Sequence, residues 1–175
     1  LLLGKLGDKG AYPNLKTVLN DPKSNDMVKI QALEAIAMLG VDKQTTYQRL
    51  WTLLVSKYGD DKIMGLNGMR YLATEESIKA IKNMLIDEMP EVRLFAAEQL
   101  GRLGDRTGKF EVIDYFTKIR PDLDSQGRYQ ADRLAAMAIG RIGGKELKKY
   151  LPLLMKSDSK DVRLRAAQAV LLLEK

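Results

Sequence analysis

Apolar residues return along this chain at helical spacing, most clearly in Glu91 to Asp105, EVRLFAAEQLGRLGD. Val92, Ala96, Leu100 and Leu103 form one stripe along a helix. Ala97 and Gly101, both small, lie beside the stripe and would let a neighbouring helix approach closely. Gly104 then supplies the left-handed residue that commonly ends a helix. A short helix with one narrow apolar face needs a partner to bury it, and the chain repeats the pattern four more times. The copies are Asn25 to Gly40, Asp61 to Ala73, Arg128 to Gly143 and Ser159 to Lys175. Their stripes are Val28, Ala32, Ile36 and Leu39; Gly65, Met69 and Leu72; Ala131, Ala135, Ile139 and Ile142; and Val162, Ala166, Val170 and Leu173. Leu1 to Asp8, LLLGKLGD, matches the end of a further copy. Register positions 28, 61, 92, 131 and 162 give successive steps of 33, 31, 39 and 31 residues.

Bulkier stripes alternate with these copies. They are Leu15, Val18 and Leu19; Tyr47, Leu50, Trp51, Leu54 and Val55; and Ile78, Ile81 and Leu85. Phe110, Ile113 and Phe116 follow, then Leu147, Tyr150, Leu151 and Leu154. Asn20-Asp21-Pro22, Gly59-Asp60, Pro90, Pro121-Asp122 and Ser157-Asp158 punctuate the alternation. No stretch sustains the period-two alternation of a strand. Helix pairs recurring at this period predict an all-α, right-handed α-solenoid of stacked antiparallel pairs without a β-sheet. The whole chain, 1–175, is predicted to form one such domain of about five pairs plus a partial first one. The longest step places extra residues around Pro121 to Gly127, in a connecting turn.

A polar turn, then Val-Arg, Ala-Ala and Leu-Gly-x-Leu-Gly-Asp, resembles the HEAT repeat, especially its short bacterial, PBS-lyase-like form. Glu91 to Asp105 matches almost throughout, and Lys160 to Ala169 nearly as well. Asp61 to Ala73 departs most, with Gly65 and Gly68 where alanine is usual. The resemblance implies that the basic residue after the repeat valine (Lys29, Arg93, Arg163, with Lys62 beside it) bonds to turn carboxylates such as Asp26, Asp61 and Asp161. Asp132 interrupts that ladder. It also implies a concave surface lined by the places of Leu94, Glu98 and Arg102, which are polar in the usual pattern. In this chain the first place holds Ile30, Ile63, Leu94, Arg133 and Leu164, and the third holds Met38, Tyr71, Arg102, Arg141 and Leu172. Met64, Phe95 and Leu134 lie close by, and Met137 falls at the middle place of its copy. An apolar groove edged by Arg102, Arg141 and Glu34 suits an amphipathic helix or an extended peptide. Strong superhelical curvature would instead bury these side chains between repeats.

Composition narrows the chemistry. The 175 residues are 45% hydrophobic and 30% charged, a globular or solenoid balance. Neither cysteine nor histidine occurs. That excludes disulfides, thiolate and imidazole metal sites, and Ser-His-Asp or Cys-His catalysis. It also removes the paired His-Glu iron sites of the deoxyhypusine-hydroxylase-like HEAT proteins. A cysteine-free chain identifies no compartment. No apolar run reaches the roughly 20 residues that span a bilayer, so membrane insertion is not predicted.

The net charge of +6 is mild and spread along the chain. Asp122-Leu-Asp124-Ser-Gln-Gly127 resembles half a calcium loop, but Arg133 stands where a bidentate glutamate is needed, and a helix cap explains the composition better. GDRTGK (104–109) and GRIGGK (140–145) lack the spacing and the Ser or Thr of a phosphate loop, and read as helix ends. Asp60-Asp61, Glu75-Glu76 and Asp87-Glu88 sit where a helix begins or between helices, where negative charge complements the helix dipole.

The sequence therefore predicts a non-catalytic scaffold without cofactor or metal, gripping a protein or peptide through Ile30, Met38, Ile63, Met64, Tyr71, Leu94, Phe95, Glu98, Arg102, Arg133, Met137 and Arg141. One alternative is a nucleic-acid binder related to the HEAT-like DNA glycosylases, using Trp51, Arg70, Arg102 and Arg141. The other is an accessory subunit resembling the phycobilin lyases. The missing initiator Met and the apolar start predict a piece of a longer protein. Leu1 to Leu3 and Leu171 to Leu173 are expected to be uncovered edges through which copies associate end to end.

Overall fold

A computed structural model describes residues 1–174, so Lys175, the last residue of the final copy, lies outside the described residues. The described residues are helical, with no strand among them. In chain order the helices are α1 (Leu2–Leu6), α2 (Tyr12–Asn20), α3 (Asp26–Leu39), α4 (Lys43–Leu54), α5 (Gly59–Leu72) and α6 (Glu75–Asn83). There follow α7 (Pro90–Arg102), α8 (Lys109–Asp114), α9 (Ser125–Ile142), α10 (Lys145–Lys148), α11 (Leu151–Met155) and α12 (Lys160–Leu173). Each copy of the repeat is one helix: α3, α5, α7, α9 and α12. The contacts group into two compact units, Leu1–Ala80 and the residues from Ile81 onward.

Recurrent residues do recurrent work at the helix ends. Gly40, Ala73, Gly104 and Gly143 stand twelve residues after register positions 28, 61, 92 and 131, and all have positive φ: 64°, 48°, 80° and 71°. Gly7, at φ 71°, ends α1 in the same way. After two of these turns an aspartate caps the next segment: Asp8 accepts from the Gly10 N–H at 2.9 Å, and Asp105 from the Thr107 N–H at 2.8 Å. Asp124 caps α9 by accepting from the Gly127 N–H at 2.7 Å. The acidic pairs Asp60-Asp61 and Glu75-Glu76 lie in the first turns of α5 and α6.

In unit 1, α3 packs against α1, α2, α4 and α5, and α4 packs against α5. Ala11, Leu15, Ala32, Ala35, Ile36 and Leu39 form one buried cluster. In unit 2, α9 lies between α7 and α12. Its inward face, Ala131, Ala135, Ala138, Ile139 and Ile142, joins Leu94, Val112, Tyr115, Leu147 and Leu154 in one core. Small residues set the spacing. A β-carbon on Gly101 would lie 3.0 Å from the Arg141 carbonyl carbon, and one on Gly140 would lie 2.7 Å from the Ala169 α-carbon.

Several stripe residues turn outward. Val28 is exposed, because the cluster around α3 begins at Ala32. In α4 the buried face runs through Thr46, Leu50 and Leu54, leaving Trp51 and Val55 one position round the helix and exposed. In α8, Gly108 seats against Ala97 and fixes a face through Val112 and Tyr115. Phe110 is rotated away from that face and is 65% exposed.

Candidate functional site

Of the basic residues after the repeat valine, Lys29 meets the expected carboxylate, Asp26, whereas Arg93 and Arg163 turn to main-chain carbonyls. The Arg93 guanidinium donates to the main-chain carbonyls of Asp87 (2.6 Å) and Glu88 (3.3 Å). Arg163 does the same to Ser157 (2.7 Å) and Asp158 (2.9 Å), at identical sequence offsets. Both satisfy carbonyls of the preceding turn, which would otherwise lack helical partners. Arg93 also approaches Glu111 at 3.4 Å. Lys29 stands 3.8 Å from Asp26, Asp61 accepts from the Ser56 hydroxyl at 2.6 Å, and Asp161 meets Arg133 at 3.2 Å. At the interruption, buried Asp132 accepts from Arg120 Nε (2.7 Å) and Nη2 (2.9 Å) and from the Tyr115 hydroxyl (2.7 Å). Burial, then the Asp132 charge, holds the Tyr115 phenol far above its ordinary value, so it stays protonated as a donor.

The expected interaction residues separate by burial. In unit 2, Leu94 is 1% exposed and belongs to the core, so it presents no surface. Glu98 is 4% exposed and receives Arg102 Nε at 2.9 Å and Nη2 at 2.8 Å. This i,i+4 pair turns a would-be recognition pair into an internal one. Phe95, Met137 and Arg141 are half-buried, and Arg141 packs its β-carbon on Gly101. Arg133 is exposed and pairs with Asp161.

In unit 1, Ile30, Met38, Ile63, Met64 and Tyr71 are all half-buried. The Arg70 guanidinium lies 3.7 Å from the centre of the Tyr71 ring. Beside them Glu34 accepts from Asn67 Nδ2 at 2.5 Å, and Arg70 reaches the Asn67 carbonyl at 3.3 Å. Burial raises the Glu34 carboxyl above its ordinary value, against the pull of the N-terminal ammonium, Arg70 and Lys5.

Ile30 enters a cleft of about 190 Å³. Leu19 of α2, Leu33 of α3 and Leu53 of α4 complete its apolar floor, with Lys29 and Arg49 at the rim. Arg49 donates to Asn20 at 2.7 Å and so keeps its charge uncompensated by that partner. Repeat register alone pointed to Ile30 and missed the rest of this cleft, because Leu19 and Leu53 belong to the intervening helices. Their signal in the sequence is the bulky apolar content of those helices, which fits a core stripe equally well. Comparison with known protein families and with curated proteins finds no match for this chain.

Proposed function

We propose that the chain is a HEAT-like α-solenoid module that binds a segment of a partner protein and performs no catalysis itself. The observation that carries this reading is the apolar cleft of unit 1, where Ile30, Leu33, Leu53 and Leu19 form a floor beneath Lys29 and Arg49. An apolar anchor flanked by acidic residues fits that arrangement, and such anchors carry most of the affinity in peptide recognition. The carboxylates supply little for acid–base work: Asp132, Glu98, Asp105 and Asp161 each engage a neighbouring cation. Nucleic-acid binding is less well supported, since Arg70 lies over Tyr71 and Arg102 holds Glu98.

Peptides selected by display against the whole chain test the reading. They should share an aliphatic or aromatic residue next to Asp or Glu, and Ile30→Glu should weaken them by at least about tenfold, the loss of one buried anchor. Binding indifferent to Ile30→Glu while the variant keeps its helical circular dichroism would defeat it. So would affinity that collapses with salt in the manner of phosphate-dominated binding.

A further inference from the structure

The longest step of the repeat builds a wall rather than a slack loop. α9 begins at Ser125, six residues before its register residue Ala131, whereas α7 and α12 begin two residues before Val92 and Val162. The extra turn carries Ser125, Arg128 and Tyr129, and the short 3-10 turn ahead of it, Arg120–Asp122, carries Arg120. Facing them is the turn between α11 and α12, with Lys156, Ser157 and Asp158. Between the two walls is a cleft of about 250 Å³.

The cations in it are positioned in advance. Asp132 grips two nitrogens of Arg120 and fixes the plane of its guanidinium. Arg128 is tethered by one bond, from Nη2 to the Leu123 carbonyl at 2.7 Å, while its Nε is buried with no hydrogen-bond partner. Arg128 and Lys156 form no ion pair with a carboxylate among the described residues. Asp158 is the acid of the wall; with Arg120 paired to Asp132, Arg128 and Lys156 are the cations set against it. The α9 N-terminus is already capped by Asp124, so the attraction comes from the side chains.

We propose that this cleft binds a phosphoryl dianion, borne by a small phosphate ester or by a phosphorylated side chain. A tetrahedral dianion offers three strong acceptor oxygens. They match the guanidinium N–H groups that Arg120 and Arg128 have left, the Lys156 ammonium, and the Ser125 and Ser157 hydroxyls. The site is independent of the apolar cleft in unit 1.

The test is an amide NMR titration of the whole chain with sodium phosphate, against sodium chloride at matched ionic strength. O-phosphoserine and a phosphoserine peptide follow as separate arms. Saturable shifts confined to residues 120–129 and 153–158 are expected with phosphate and absent with chloride. Lys156→Ala and Arg128→Gln should each weaken binding by about tenfold, the usual cost of a charge-assisted contact. A tighter phosphopeptide arm identifies a protein source, and equal arms a small ester. Non-saturating shifts, an equal response to chloride, or wild-type binding by Lys156→Ala overturns the proposal. Lys156 is exposed and its removal leaves the fold intact, so this variant decides the matter even if Arg128→Gln fails to fold.

Discussion

Ala73 holds a backbone conformation that the other copies give to glycine. Its φ of 48° falls at the place where Gly40, Gly104 and Gly143 take 64°, 80° and 71°. A β-carbon in the left-handed region costs about 1–2 kcal/mol, while glycine adds somewhat under 1 kcal/mol of chain entropy to the unfolded state. The first outweighs the second, so Ala73→Gly should stabilise unit 1 by roughly 0.5–1 kcal/mol, read as a higher urea midpoint; a lower midpoint would refute the strain. Glu34 shows the same logic with a proton. Burial raises its folded-state pKa above 4.5, so the folded chain holds the proton more tightly than the unfolded chain. That contribution is fully present below about pH 4.5 and is lost as pH rises through the raised value. Glu34→Gln keeps an oxygen for Asn67 without the charge. Its melting temperature should match wild type near pH 4 and exceed it at pH 7. A constant gap across that range would show that Glu34 does not titrate in this window. Asp21 and Asp42, whose carboxyls are lowered by hydrogen bonds, are common to both proteins and cancel in the comparison.

Between elements, one carbon atom decides whether helices meet. In an exposed helix Gly→Ala stabilises by about 1 kcal/mol. At Gly140 the added carbon would stand 2.7 Å from the Ala169 α-carbon, which is main chain and cannot rotate away. Overpacking of this kind costs about 1–3 kcal/mol, so Gly140→Ala should destabilise despite the gain in helix propensity. An unchanged or raised urea midpoint would mean that α9 and α12 separate freely. This scale is also where the sequence was most legible. The spacing of Val92, Ala96 and Leu100 located α7, and the small Ala97 and Gly101 marked two places of close approach. The outward faces were less legible. Leu94 followed the register of a surface position but is covered within unit 2, and Glu98 is closed off by Arg102. Trp51 and Phe110 fit inward stripes in the sequence yet lie exposed, because a bulky residue one step from a stripe is indistinguishable from it until the neighbouring helix is placed. The basic cleft was hidden for another reason. Its walls come from two turns about thirty residues apart, each unremarkable alone, and only the long step between copies hinted at it.

At the scale of the molecule, burial is distributed unevenly along the chain, and local stability should follow it. α9 is flanked by α7 on one side and α12 on the other, and eight of its residues are buried. α1 has five residues and buries only Gly4, with Leu2, Leu3 and Leu6 exposed. An opening that frees α9 must disrupt the α7 and α12 contacts and expose the core of unit 2, so its amides should exchange only through nearly complete unfolding of that unit. An opening that frees α1 gives up little more than the close contact of Gly4 with Ala35, where a β-carbon on Gly4 would stand 2.8 Å from the Ala35 α-carbon. Native-state hydrogen exchange should therefore show α9 amides from Ala131 to Ile142 slower than those of α1 by at least about 100-fold, a difference of roughly 3 kcal/mol in opening free energy. Protection in α1 equal to that in α9 would require a cover over Leu2, Leu3 and Leu6, and association of the chain with itself through that leucine surface would supply one. The two causes are separable: protection conferred by association rises with protein concentration, whereas protection conferred by packing within a single chain does not.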